Sequence, residues 1–229
     1  MTDTSRKLVI AIDGPAGAGK STIASRLARK LGYVNLETGA MYRALALLAI
    51  EKDFSFDDEA TLLNVAQHSH IVLEPRVDGN RVLLNGRDVS DRIREADVTQ
   101  AASRVSVHPR VREWMVARQR EMGAAGGVVM EGRDIGTKVF PDADLKIFLE
   151  ASPEVRVERR VRQRELKPEL AAAVAADLRE RDERDRTRAT SPLAPAPDAV
   201  ILDSSHMDVE EVISRVASLV AKKLAASGS

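Results

Sequence analysis

Short unbroken apolar runs alternate along this chain with longer stretches in which apolar residues recur every three or four positions. Leu8-Val9-Ile10-Ala11-Ile12 is the first such run. A few apolar residues in a row, bounded by turn formers, suit a strand buried on both faces, so a strand is predicted here. Ser21 to Leu31 follows with Ile23, Leu27 and Leu31 at helical spacing. Tyr33 to Gly39 and the Ala- and Leu-rich stretch Ala40 to Lys52 read as a second strand and helix. Val128-Val129-Met130 and Lys146-Ile147-Phe148-Leu149 are further buried-strand candidates. Each runs into a polar or helix-starting segment, Glu131-Gly132-Arg133-Asp134 and Ser152-Pro153-Glu154. Helical signals occupy Arg110 to Met122. A final strand, Ala199 to Asp203, precedes a closing helix from Asp208 to about Leu224 with Val209, Val212, Ile213, Val216 and Val220 on one face. The Ala225 to Ser229 tail is expected to fray. Strands alternating with helices predict an α/β fold on a parallel sheet.

Two segments break that rhythm. Ile71-Val72-Leu73 and Arg76 to Leu84 are β-rich and contain Asp78-Gly79, a hairpin-turn dipeptide, and Asn85-Gly86 supplies a second turn before Val89. A small antiparallel sheet does not fit easily inside a parallel one, so residues 63–105 are predicted as an inserted subdomain and residues 1–62 and 106–229 as the core. The second segment, Glu154 to Arg188, is dense in both charges. Most of it is expected to form solvated helices laced with ion pairs, with Arg156, Arg162 and Arg164 among those solvated residues. The run Arg181 to Arg188 concentrates guanidinium groups within two turns and is predicted to belong to a mobile lid covering about 155–188.

Composition narrows the functional classes. The 229 residues carry 35 basic and 35 acidic side chains, so no overall positive field favours nucleic acid or an anionic membrane. There are no cysteines, which removes disulfide and thiolate chemistry. No apolar run approaches the roughly 18 residues of a membrane span, and Met1 to Arg6 lacks the apolar stretch of a signal peptide. A cytoplasmic monomer is expected.

Between the first strand and first helix lies Gly14-Pro15-Ala16-Gly17-Ala18-Gly19-Lys20-Ser21, followed by Thr22. A glycine, four free positions and Gly-Lys-Ser form the P-loop pattern, here in the strand, loop, helix context that it needs. Glycines let backbone N–H groups turn inward onto a polyphosphate, and the helix adds the positive end of its dipole. Lys20 would reach the β- and γ-phosphates of ATP, and the Ser21 hydroxyl would ligate Mg²⁺.

With Thr38-Gly39-Ala40-Met41-Tyr42-Arg43, Glu131-Gly132-Arg133-Asp134-Ile135-Gly136-Thr137 and the Arg181 to Arg188 run, the chain resembles the bacterial cytidylate kinases over nearly its whole length. The resemblance implies a P-loop NTPase core of five parallel strands flanked by helices, an inserted antiparallel-sheet subdomain binding the monophosphate, and a short helical lid. It implies transfer from ATP to CMP or dCMP. Position by position, Arg43, Arg133 and Arg188 resemble clamps on the acceptor phosphate, with Thr38 beside them, while Arg181 and Asp185 resemble the residues that hold the sugar. Arg159 and Arg160 resemble lid arginines for the donor phosphates. Lys20, Arg159, Arg181 and Arg188 form the charge-stabilising set. For the base, Asp134 would accept from the cytosine amine while Ser103 and Arg112 donate to N3 and O2. Glu37 and Glu131 stand where the family often has aspartate.

Other readings compete. A shikimate-type kinase would share the P-loop, and a nucleotide-switched module would too, although no Asn-Lys-x-Asp segment is present. Nucleic-acid binding through the arginine stretch is opposed by its interleaved acids and scarce aromatics. Asp13 would bear on Mg²⁺ through water or simply end its strand. His68 and His70 are expected at a solvated strand end, and Trp114 in or beside the core.

Overall fold

In the computed structural model, residues 7–76, 79–163 and 165–227 are described. Asp78 of the first predicted hairpin turn, Arg164, Met1 to Arg6 and the last two residues of the tail lie outside them.

Five parallel strands form the central sheet in the order β2-β6-β1-β7-β8, with β1 Val9–Asp13, β2 Val34–Glu37, β6 Val128–Glu131, β7 Leu145–Glu150 and β8 Val200–Asp203. Strand period 2 divides β1 between two cores. Ile10 and Ile12, with Leu8 just before the strand, share one core with Ile23 and Leu27 of α1 (Lys20–Leu31) and Val212, Ile213, Val216 and Val220 of α8 (Val209–Ser227). Ala11 faces the opposite core, with Met41 and Leu45 of α2 (Thr38–Glu51). Helix α1 is bracketed by Gly19 and Gly32, both in the left-handed region at φ 97° and 66°.

The second core continues into residues 62–105. Strands β3 (Ile71–Arg76), β4 (Gly79–Leu84) and β5 (Arg87–Asp88) form an antiparallel sheet whose Leu73, Val82 and Leu84 are buried. Asn85 and Gly86 take φ 51° and 81°, the two positive values of a primed two-residue hairpin turn, as their sequence required. Around this sheet are α3 (Glu59–Gln67), α4 (Ala96–Val105) and α5 (Pro109–Gly123). The first two were not expected from the sequence, although the buried positions of α4, Val98, Ala101, Ala102 and Val105, stand at helical spacing. Asp58 caps α3 by accepting from the Thr61 N–H. Asn80 of β4 reaches the edge strand β2: its Oδ1 accepts from the Glu37 N–H at 3.0 Å and its Nδ2 donates to the Asn35 carbonyl at 2.8 Å. Trp114 packs half-buried on the same core, under the Arg118 guanidinium. The His68 ring contacts the Asn64 carbonyl one turn back.

Helices α6 (Pro153–Gln163) and α7 (Ala171–Thr187) pack together beside the phosphate loop. Val174 and Leu178 of α7 close over Ala16, with Val157 and Val161 of α6 alongside. Among the described residues no helix is long and apolar enough to cross a membrane.

Candidate active site

The carboxyl ends of the parallel strands open into a cleft of about 1010 Å³. Ligands in open α/β sheets bind at that end, outside the strand termini. Ala16 through Thr22 line it, as do Thr38, Arg43, Ser103, Arg112, Arg133, Asp134, Arg159, Arg160, Arg181, Asp185 and Arg188. The predicted site residues therefore converge, apart from Gly14 and Pro15, which lie behind the lining. Gly14, at φ 145°, has no room for a side chain, since a Cβ would sit 2.1 Å from the Leu149 carbonyl oxygen.

A loop that gathers its N–H groups around an anion must find other partners for its carbonyls. Here the partners are cationic side chains. Lys20 Nζ donates to the Pro15 carbonyl at 2.6 Å, Arg156 Nη1 to Ala16 at 3.0 Å, and Arg159 Nη1 to Ala18 at 3.1 Å. Arg159 also donates to the Ser204 hydroxyl and carbonyl, so it sits on the loop that follows β8 as well.

Arg156 requires a correction. It is buried, and its guanidinium is paired at 2.5 Å with Asp182 of α7. Helix α6 is charged around its circumference, so its sequence does not reveal which arginine turns inward. Arg162, three-quarters exposed and paired with Glu158 one turn away, is solvated as expected.

Asp13 ends β1 but turns away from the cleft lining. Its carboxylate accepts the N–H groups of Ile135 and Gly136 at 2.9 and 2.7 Å, tying β1 to the turn after β6. Burial pushes its pKa up to about 6 against those hydrogen bonds.

Two carboxylates that sequence reasoning left without a role face the P-loop. Glu37 ends β2 and Glu131 ends β6. The Ser21 hydroxyl donates to Glu131 Oε2 at 3.0 Å, and Oε1 of the same carboxylate is buried without a hydrogen-bond partner. Burial, with Glu37 next, raises the Glu131 pKa to about 7. Burial also opposes the Glu37 charge, but the Arg43 guanidinium paired with it holds its pKa below the ordinary value. A hydroxyl and neighbouring carboxylate oxygens, one unsatisfied, form the donor set that a hard divalent cation takes. The signal available in the sequence was positional: both acids are the last residues of parallel strands.

Positive charge is crowded here. Burial, then Arg133, holds the Lys20 pKa well below its usual value, and the same two causes bring Arg181 down to about 9. Asp185 is the counterweight. Although buried, it is kept ionised below the usual carboxylate range by Arg133, Arg181 and Arg188. It accepts from Arg133 Nε at 2.9 Å and lies 3.4 Å from Arg188 Nη1. Arg188 Nη2 is buried without a partner. Cations that depress one another's pKa mark a cleft suited to a polyanion.

At the far end, Arg112 donates from Nη2 to Asp134 Oδ2 at 2.5 Å and from Nη1 to the Ser106 carbonyl at 3.1 Å, with its guanidinium over the Tyr42 ring. Burial lifts the Tyr42 phenol to about 12, so it stays neutral. Ser103 Oγ is buried in the same wall and has no partner. Tyr42, Ser106 and Ser204 had carried no signal apart from motif membership in the first case.

Residues 10–222 match the family model described as cytidylate kinase. Relatives include the cytidylate kinase of Solibacter usitatus, 48% identical over 98% of this chain and 97% of that protein. The cytidylate kinase of Geobacillus kaustophilus is also 48% identical, over 96% of this chain and 99% of its own. Among solved structures, an uncharacterized protein from Eubacterium ventriosum shares the fold at a TM-score of 0.51, with 10% identity over 94% of this chain and 99% of that one.

Proposed function

This chain belongs to the cytidylate kinase family and is an ATP-dependent kinase, and we propose that it moves the terminal phosphoryl group of ATP onto CMP or dCMP in line, giving ADP and CDP or dCDP. The acceptor phosphate oxygen is already an anion, so no proton acceptor is needed. Two polyanions must instead be held together while charge spreads over the transferred group.

The backbone N–H groups of Ala16 to Ser21 and the Lys20 ammonium cradle the donor phosphates, with Arg159 and Arg160 closing over them from α6. Ser21, with the Glu131 carboxylate beside it, would hold Mg²⁺, whose charge offsets that of the phosphates. Arg43, Arg133 and Arg188 clamp the acceptor phosphate next to Thr38, while Arg181 and Asp185 hold the sugar. Residues of about 63–105 form the monophosphate-binding subdomain and contribute Ser103 to the base-facing wall, and about 155–188 act as the lid that keeps water from the donor.

The observation that carries this reading is the convergence of Ser103, Arg112 and Asp134 on the cleft that also holds the P-loop. Asp134 is held as an acceptor by Arg112, while Ser103 Oγ is a buried hydroxyl without a partner. One acceptor beside two donors complements the amine, N3 and O2 of cytosine. Uracil presents a carbonyl to Asp134 instead and is the poorer substrate. The test is ADP formation with ATP and Mg²⁺ against CMP, dCMP, UMP, AMP, GMP, dTMP and shikimate, beside a control with no acceptor. Turnover concentrated on CMP and dCMP is expected. Turnover with another acceptor would overturn the base pocket, and none above the control would overturn the kinase reading.

A further inference from the structure

Among the described donors to carbonyls of the phosphate loop, Lys20, Arg156 and Arg159, it is Arg156 that also bridges to the helix behind the acceptor site. Its Nη1 donates both to the Ala16 carbonyl and to Asp182 Oδ2. Asp182 adjoins Arg181 and precedes Asp185 by one turn, while Arg188 closes the same helix. The contact is close along its length. A Cβ on Gly17 would lie 3.2 Å from both the Cβ and the carbonyl oxygen of Arg156, so the loop rests directly on α6. Ala16 is buried with Val174 and Leu178 of α7. The pair is also imperfectly satisfied. Asp182 Oδ1 and Arg156 Nε are buried without hydrogen-bond partners. A pair serving stability alone gains little from being ionic, because apolar side chains of similar volume commonly hold such a site equally well.

We infer that Arg156 and Asp182 are positioning residues that couple occupancy of the donor loop to the acceptor site. The inference rests on the function proposed above. Phosphates that draw the loop N–H groups inward fix the Ala16 carbonyl on Arg156. Arg156 in turn fixes Asp182 and the rotation of α7, and so directs Arg181, Asp185 and Arg188 at the acceptor. By linkage, CMP tightens the hold on ATP by the same factor.

The experiment measures CMP affinity by calorimetry with and without the non-hydrolysable imido analogue of ATP and Mg²⁺, in the full-length protein. In the wild type the analogue should tighten CMP binding by a factor within about 5- to 150-fold. In the double variant Arg156→Met, Asp182→Leu the factor should fall towards one, while the melting temperature stays near that of the wild type. If the double variant does not fold, Asp182→Leu alone carries the same comparison, because it leaves Arg156 its bond to the Ala16 carbonyl and removes the acceptor on α7. Coupling that persists in the folded variant overturns the inference. So does a wild-type protein that turns over CMP with a coupling factor of one, and that result leaves the function itself standing.

Discussion

Replacing Asp134 by asparagine changes one charge and almost no volume, at a side chain that is 6% exposed and whose Oδ2 meets Arg112 Nη2 at 2.5 Å. Two consequences can be separated. Arg112, 2% exposed, keeps its bond to the Ser106 carbonyl but loses its counter-charge. Breaking a buried pair on one side costs about 3–5 kcal/mol, and the amide oxygen recovers part of that. At about 2–4 °C per kcal/mol for a chain of this size, the melting temperature should drop by roughly 6 °C or somewhat more. The second consequence is chemical. A hydrogen bond from the cytosine amine to a carboxylate is worth about 1.5–3 kcal/mol, so kcat/KM for CMP should fall roughly 13- to 160-fold. UMP should lose far less, because the new amide N–H can donate to the uracil carbonyl. The CMP to UMP ratio of kcat/KM should therefore shrink about tenfold or more. A coupled ADP assay gives the ratio and circular dichroism the melting temperature. A variant that loses CMP turnover with an unchanged ratio would refute direct readout of the amine, and would mean that Asp134 acts only by holding Arg112.

Four other substitutions test separate parts of the structure. Arg188→Ala should lower turnover by orders of magnitude with the fold intact, whereas Arg162→Ala removes an exposed one-turn ion pair worth about 0.3–0.5 kcal/mol and should leave kcat within twofold; equal losses in a steady-state assay would overturn the assignment of the two arginines. Gly14→Ala places a Cβ against the Leu149 carbonyl at a positive φ, so soluble yield and melting temperature should both collapse, and a well-folded variant would contradict the packing. Asp13 has a native pKa raised to about 6 from 3.8, so the native state binds its proton more tightly than the unfolded chain does. Its contribution is complete below about pH 3.8 and is lost as pH rises through about 6. Urea unfolding at a series of pH values should show the wild type losing stability over that window relative to Asp13→Asn; parallel profiles would refute the burial argument.

What could be read from the residues alone was whatever short-range chemistry decides. The P-loop glycines and the Asn85-Gly86 turn are local requirements of backbone geometry, and both are found where the pattern placed them. The short unbroken apolar runs located the parallel strands, and the period-3.6 runs the helices α1 and α5, to within a residue or two, while α8 continues to Ser227, past Leu224 and into the tail expected to fray. Helix α4 was missed because residues 63–105 read as a small antiparallel sheet, although its buried positions Val98, Ala101, Ala102 and Val105 recur at helical spacing. Arg156 was misplaced for a different reason. Arg156, Arg159, Arg160 and Arg162 are chemically identical, and only the approach of α7 and the phosphate loop distinguishes the buried one. The Glu37 and Glu131 pair was visible only as two strand ends, since their proximity depends on β2 lying next to β6.

The Asn80 bridge has a consequence for solubility. An open parallel sheet ends on two rims, and an uncovered rim of unpaired N–H and C=O groups is a template for another chain. At β2 the side chain of one asparagine imitates a neighbouring strand, accepting from the Glu37 N–H and donating to the Asn35 carbonyl. The antiparallel sheet thereby caps the rim beside the cleft without extending the ladder. A circularly permuted or trimmed protein lacking β4 would expose that rim, and its first fault would be self-association at β2 rather than loss of the P-loop.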